Sequence, residues 1–96
     1  MAAEMMGDDK GQPLVRMYST RFCPYCMRAR SLLKGKSVEF QDTPVGGSQE
    51  LWTEMVGLSG RDTVPQIFIG DQHIGGYDEL AAANRSGKLD QLLGLI

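Results

Sequence analysis

The position of the chain's only two cysteines constrains its fold more than any other sequence feature. Cys23 and Cys26 follow the largely apolar run Leu14–Tyr18, which predicts a short strand, and they open a stretch with helical spacing. Pro24 suits the first position of that helix, where its missing N–H needs no partner. Alternating apolar and polar side chains over residues 37–41 then predict a second strand. Such a strand–helix–strand unit calls for parallel strands joined by a right-handed crossover.

The second half of the chain predicts a hairpin and further helices. Ser48 is a candidate N-cap for a helix, and the apolar run Gln66–Ile69 predicts a strand buried on both faces. Gly70-Asp71 signals a two-residue hairpin into a fourth strand, and Asp78 is predicted to cap the next helix. The order β-α-β-α-β-β-α, with a short C-terminal helix after it, predicts an α/β fold with a four-stranded mixed sheet flanked by helices.

Length and composition set the outer limits. Ninety-six residues predict one domain, which we place at residues 13–96 after a flexible acidic tail over residues 1–12. A net charge of −2 gives no reason to expect nucleic acid as a partner. The apolar stretches are too short to span a bilayer, and the first residues lack the pattern of a secretory signal. We therefore expect a cytoplasmic monomer, in which a purely structural disulfide would not persist.

The two cysteines are predicted to differ in reactivity. If the helix begins at Pro24, Cys23 is the N-cap residue, where free backbone N–H groups and the helix dipole favour an anion. We expect this to lower the thiol pKa from about 8.5 toward roughly 4–7. Cys26 lies one turn inward and should keep its proton longer. An exposed attacking sulfur with a second, resolving sulfur nearby is what thiol–disulfide exchange requires.

Charge around the cysteines is segregated. From Lys10 to Lys36 the chain carries seven basic residues and no acid, and all twelve acids lie outside this window. A solvated basic face accounts for the run as simply as a functional one does. Metal binding is disfavoured, because Cys23, Cys26 and the single His73 are too few for a four-ligand zinc site.

Three motifs in order resemble those of dithiol glutaredoxins. They are the tetrapeptide Cys23-Pro24-Tyr25-Cys26, the segment from Thr63 to Ile69 and the segment from Gly75 to Leu80. The resemblance covers nearly the whole chain and implies a thioredoxin fold with a cis Pro65 opposite Cys23. It further implies glutathione as co-substrate and glutathionylated or disulfide-bonded proteins as substrates, with no metal.

The resemblance also implies a set of glutathione-binding residues. They are Arg21, Tyr25, Arg61, Thr63, Val64, Pro65, Tyr77, Asp78 and Glu79. In this set the backbone of Val64 would pair with the cysteinyl part of glutathione as an added strand does, and the helix start after Gly76 would take a carboxylate. The chain departs from the family pattern at Thr20, where relatives often carry Lys, and at Tyr77, where they often carry a small residue.

Two other functions remain open from the sequence. One is a carrier of a [2Fe–2S] cluster, bridged between two chains by Cys23 and glutathione. Pro24 and Cys26 argue against it, because relatives of that type typically carry Gly after a single active-site cysteine. The other is a glutaredoxin-like protein that thioredoxin reductase reduces in place of glutathione.

Overall fold

The computed structural model describes residues 13–95, so the expected N-terminal tail and Ile96 lie outside the described residues. Four strands and four helices follow one another in the predicted order. They are β1 (Val15–Ser19), α1 (Pro24–Gly35), β2 (Gln41–Pro44), α2 (Gln49–Ser59), β3 (Gln66–Ile69), β4 (Gln72–Gly75), α3 (Tyr77–Ser86) and α4 (Lys88–Leu92).

The strands form one mixed sheet in the order β2-β1-β3-β4. β1 runs parallel to β2, with Arg16 opposite Gln41, and antiparallel to β3, with Met17 opposite Ile67. β3 and β4 form the antiparallel hairpin. The predicted parallel pair and the predicted hairpin are therefore both confirmed. β1 and β3 lie at the centre of the sheet, where every residue of β3 is buried.

The core has two layers, one on each face of the sheet. The larger cluster joins side chains of β1 and β3, among them Met17 and Ile67, to Leu33 of α1, Leu80 of α3 and Leu89 of α4. The smaller cluster consists of Tyr18, Val45, Met55 and Phe68, with side chains of α2 packed against it. Because side chains alternate across a strand, β1 and β3 each contribute to both clusters. Over residues 13–95, no helix has the length and apolar character needed to cross a membrane.

The second strand begins later than the sequence predicts. α1 ends at Gly35, and the chain then turns through Lys36 and Ser37, whose φ of 59° lies in the left-handed region. Val38 is buried and Phe40 packs against the larger cluster, yet both precede the ladder, which starts at Gln41. The prediction of a strand over residues 37–41 was wrong, because an alternating pattern records burial and not hydrogen bonding to a neighbouring strand.

Candidate active site

Cys23 is the N-cap of α1, as predicted. Its backbone is extended, with φ −95° and ψ 116°, and its sulfur accepts the backbone N–H of Cys26 at 3.3 Å. The first turn of α1 contains no acidic residue, and Pro24 occupies the position where no N–H is needed. A negative charge on the Cys23 sulfur would thus meet a backbone donor and the positive end of the helix, with no competing carboxylate in that turn.

The two thiols have different surroundings. Both are free cysteines, but Cys23 is partly exposed and Cys26 is fully buried, at 0% exposure. Burial raises the pKa of the Cys26 thiol to about 11, against the opposing effect of a hydrogen bond with the Thr20 backbone. The difference in exposure confirms the predicted asymmetry between an accessible sulfur and a sheltered one.

The loop before β3 lies beside the accessible sulfur. The Val64–Pro65 peptide bond is cis, as the resemblance implied, and Pro65 is buried. The Cys23 thiol donates to the Val64 carbonyl at 3.8 Å. Because Val64 is 41 positions away in sequence, only the antiparallel pairing of β1 with β3 brings this backbone to the cysteine.

Gln66 and His73 hold that loop in place, and neither role was predicted from the sequence. Gln66 is fully buried, and its side-chain amide donates to the Thr63 carbonyl at 2.9 Å and to the Thr63 hydroxyl at 3.2 Å. Its amide oxygen lies 2.7 Å from His73 Nε2, which must carry the proton because that oxygen only accepts. Burial, together with the charge of Arg61, lowers the pKa of His73. The signal in the sequence was a polar residue inside an otherwise apolar buried strand.

The start of α3 forms the opposite wall of the site. Its N-cap is Gly76, and Glu79 Oε1 accepts the Gly76 N–H at 2.8 Å and lies 3.3 Å from Arg61 Nη1. The hydrogen bond from Gly76 is the main cause that lowers the pKa of Glu79. The prediction that Asp78 caps this helix was therefore wrong: Asp78 lies in the first turn with its side chain exposed.

Gly75 makes this close approach of Glu79 to the backbone feasible. Its φ of 122° is unfavourable for residues with a side chain, and a Cβ at this position would lie 2.8 Å from Glu79 Oε1. The glycine at position 75 is thus explained by the need to seat the Glu79 carboxylate against the chain.

Between these walls lies a cleft of about 300 Å³. Eight of the nine predicted glutathione-binding residues line it, together with Gly76; they are Tyr25, Arg61, Thr63, Val64, Pro65, Tyr77, Asp78 and Glu79. The rings of Tyr25 and Tyr77 have their centres 6.4 Å apart, so the unusual aromatic residue at position 77 borders the cleft beside α1. Arg21 is not in the lining; it borders a separate depression of about 600 Å³ with Thr20, Arg30 and Asp42.

A polar cluster, also missed from sequence, supports the turn that leads to Cys23. Arg30 Nη2 donates to the Thr20 carbonyl at 3.1 Å and to the Ser19 hydroxyl at 2.9 Å, and Arg30 Nε lies 2.5 Å from Asp42 Oδ2. The Ser19 hydroxyl also donates to Asp42. These contacts fix the end of β1 against α1 and β2. Arg30 was visible in the sequence only as one charge of the basic run.

The sheet order and the free cysteine pair at a helix start define a thiol oxidoreductase of the thioredoxin fold. Residues 15–74 match the family model for glutaredoxin. The chain belongs to the glutaredoxin family and is accordingly a glutathione-dependent thiol oxidoreductase.

Curated relatives and solved structures agree. The chain is 51% identical over 81 residues to glutaredoxin of Pseudomonas aeruginosa, covering 84% of this chain and 96% of that one. It is 52% identical over 79 residues to glutaredoxin 3 of Escherichia coli strain K12, covering 82% and 95%. A crystal structure of a buckwheat glutaredoxin–glutathione complex has a TM-score of 0.78 at 28% identity, covering 85% and 77%. The solution structure of glutaredoxin from Brucella melitensis has a TM-score of 0.76 at 48% identity, covering 85% and 89%.

Proposed function

We propose that this glutaredoxin reduces protein–glutathione mixed disulfides through Cys23 alone. The Cys23 thiolate attacks the glutathione sulfur, and the protein leaves as a thiolate that takes up a proton. A second glutathione thiolate then attacks the glutathione sulfur held on Cys23, which forms glutathione disulfide and returns the Cys23 thiolate. The observation that carries the proposal is the partly exposed Cys23 sulfur, which accepts a helix N–H and lies beside the Val64 backbone.

The cleft supports an orientation for the glutathione part of the substrate. Its cysteinyl unit would pair with the backbone of Val64. Its γ-glutamyl carboxylate would take N–H groups at the start of α3, and its ammonium group would pair with Asp78. We prefer Asp78 to Glu79 for the ammonium, because Glu79 Oε1 already accepts from Gly76 and Arg61.

The remaining predicted residues complete this proposal. Arg61, which lines the cleft, would attract the glycyl carboxylate, and Tyr25, Thr63, Pro65 and Tyr77 would form the walls. Arg21 lies outside the lining, so we propose that it contributes through its charge alone.

For a protein disulfide we propose that Cys26 takes part. After Cys23 has attacked, the Cys26 sulfur attacks Cys23 in the mixed disulfide, and the second substrate thiol leaves with a proton. This oxidises the pair to a Cys23–Cys26 disulfide, which two glutathione molecules reduce. Because burial raises the pKa of Cys26 to about 11, this thiol must lose its proton as it attacks.

The test separates the two routes with Cys26→Ser and Cys23→Ser. Each variant is assayed with glutathione and glutathione reductase on a small mixed disulfide and on a protein disulfide. We expect Cys26→Ser to keep the first activity and lose the second, and Cys23→Ser to lose both. A folded Cys26→Ser protein without either activity would contradict the division of labour.

Anaerobic purification and a comparison of reductase systems test the other functions that the sequence leaves open. We propose a cytoplasmic monomer that carries no cluster. A brown dimer after anaerobic purification would favour the [2Fe–2S] carrier instead. Faster turnover with NADPH and thioredoxin reductase than with the glutathione system would favour the other reductant.

A further inference from the structure

Two large apolar side chains stand in solvent next to the reacting sulfur. Phe22, directly before Cys23, is 81% exposed, and Met27 is 49% exposed. Met27 donates its backbone N–H to the Cys23 carbonyl at 3.0 Å, so its side chain lies on the same face of α1, one turn further along. Neither residue lines the glutathione cleft. Exposed apolar surface of this kind beside a reactive group is typical of a contact site.

Two arginines are the sequence neighbours of these side chains, since Arg21 precedes Phe22 and Arg28 follows Met27. The Arg21 guanidinium lies over the Phe22 ring, 5.7 Å from its centre, and the Arg28 guanidinium lies 5.3 Å from the centre of the Tyr25 ring. No acidic residue occurs from residue 10 to residue 36, although the chain as a whole has a net charge of −2. In the folded chain Arg30 and Lys36 of this window pair with Asp42 and Asp90. Arg21 and Arg28 are the two basic residues whose contacts lie beside the sequence neighbours of Cys23, where their charge attracts acidic groups.

We propose that these four side chains, Arg21, Phe22, Met27 and Arg28, form a docking collar for the protein part of the substrate. The collar selects polypeptide segments in which the modified cysteine has acidic and apolar residues as neighbours. This inference rests on the proposed function, to which it adds the class of protein substrate; the reaction at Cys23 is unchanged. Glutathione would occupy the cleft while the peptide that carries it lies across the collar.

A peptide fits the collar better than a lipid surface does. The reacting disulfide must come within bonding distance of Cys23. The residues on either side of the substrate cysteine therefore pass over the neighbours of Cys23, which are Phe22 in sequence and Met27 one helix turn away. Phe22 supplies apolar contact to such a residue, and the two guanidiniums can each pair with a carboxylate. An electrostatic contribution of this kind acts mainly on the association rate and weakens as salt is added.

The test uses three glutathionylated peptides of equal length, with the cysteine between acidic, neutral or basic residues. We expect kcat/KM to be about tenfold higher for the acidic than for the basic peptide at low salt, and the ratio to approach one at about 0.5 M salt. Arg28→Gln should lower the ratio about threefold. Phe22→Ala and Met27→Ala should each lower kcat/KM about threefold or more on every peptide in which an apolar residue also lies next to the modified cysteine.

Matched controls separate this inference from the proposed function. Leu58→Ala removes a half-exposed apolar side chain from α2, and Arg85→Gln removes a charge from α3; both should leave the peptide preferences unchanged. All five variants should turn over a small mixed disulfide without a peptide at the rate of the parent protein. A loss of that activity would point to the Cys23 chemistry instead.

A preference ratio near one at low salt would overturn the collar. So would binding of the chain to anionic phospholipid vesicles that Phe22→Ala abolishes while peptide turnover stays unchanged.

Discussion

Two helix starts border the site, and each handles its free backbone N–H groups differently. α1 begins at Cys23, whose own sulfur accepts an N–H, and its first turn carries no acid. α3 begins at Gly76, which has no side chain, and its first turn carries Asp78 and Glu79. In α3 the Glu79 carboxylate folds back onto the N-cap N–H at 2.8 Å.

The difference shows how one backbone feature serves two purposes. At α1 the group that receives the helix N–H is the Cys23 sulfur, the atom that we propose as the nucleophile, so a negative charge formed there during the reaction would meet a backbone donor. At α3 the carboxylate of Glu79 already accepts the N-cap N–H. The neighbouring Asp78 makes no such bond and lines the cleft. Under the proposed function, the first start serves the nucleophile, and the second receives the γ-glutamyl carboxylate at its remaining N–H groups and the ammonium group at Asp78.

The largest expected effect is the difference in alkylation between the two cysteines. With a pKa of about 11, Cys26 would be ionised to about one part in 10⁴ at pH 7, and its modification should rise only as the pH passes about 10. We expect iodoacetamide to label Cys23 more than about a hundredfold faster at pH 7, measured by peptide mass spectrometry. In urea the two rates should converge. Equal rates in the folded protein would remove the functional distinction between the two sulfurs.

A smaller effect is expected at α3. Asp78→Asn removes the charge proposed to face the ammonium of glutathione while keeping the size of the side chain. We expect KM for a small glutathione mixed disulfide to rise about tenfold with kcat nearly unchanged, since a charge-assisted contact is worth roughly 1.5 kcal/mol. Asp71→Asn, on the exposed hairpin turn, is the matched control and should change neither constant. An unchanged KM in Asp78→Asn would mean that another group receives the ammonium.

The smallest effect concerns stability. Glu79→Ala removes the carboxylate that accepts the Gly76 N–H, and we expect the free energy of unfolding to fall by about 0.5–1 kcal/mol, measured by urea denaturation. Because the pKa of Glu79 is lowered in the folded state, its contribution is present above its usual value of 4.5 and is lost as pH falls through the folded value. The difference from the parent protein should therefore shrink below about pH 4. Ser48→Ala, which removes the cap hydroxyl of α2 and no charge, is the control and should lower the free energy of unfolding without this pH dependence.

Sequence reasoning anticipated features that depend on neighbouring residues. Pro24 after Cys23 indicated where α1 begins. Ser48 was predicted to cap α2, and its hydroxyl accepts the Leu51 N–H at 3.2 Å. The same reasoning failed where two residues competed for one position. Asp78 and Glu79 both suit a helix start, and the geometry at Gly75 decided for Glu79.

Contacts between distant segments were beyond a local pattern. Gln66 could be identified as an odd polar residue in a buried strand, but its bonds to Thr63 and His73 require the β3–β4 hairpin and the loop before it. Arg30 likewise gains its role only when α1 packs beside β2 and brings Asp42 within 2.5 Å. The family resemblance implied that a cis Pro65 lies opposite Cys23, but no spacing in the sequence predicted the contact between Cys23 and the Val64 carbonyl.

The sequence by itself determined the order of the elements, the helix start at Cys23 and the family to which the motifs point. The first two follow from side-chain periodicity, from the fixed φ of proline and from hydrogen bonds that span only a few residues, and the third follows from the resemblance of the motifs alone. Only the tertiary structure decided which carboxylate caps α3 and which polar side chains hold the loop before β3. Burial and long-range hydrogen bonds depend on how the sheet and helices pack, and packing is a property of the whole chain.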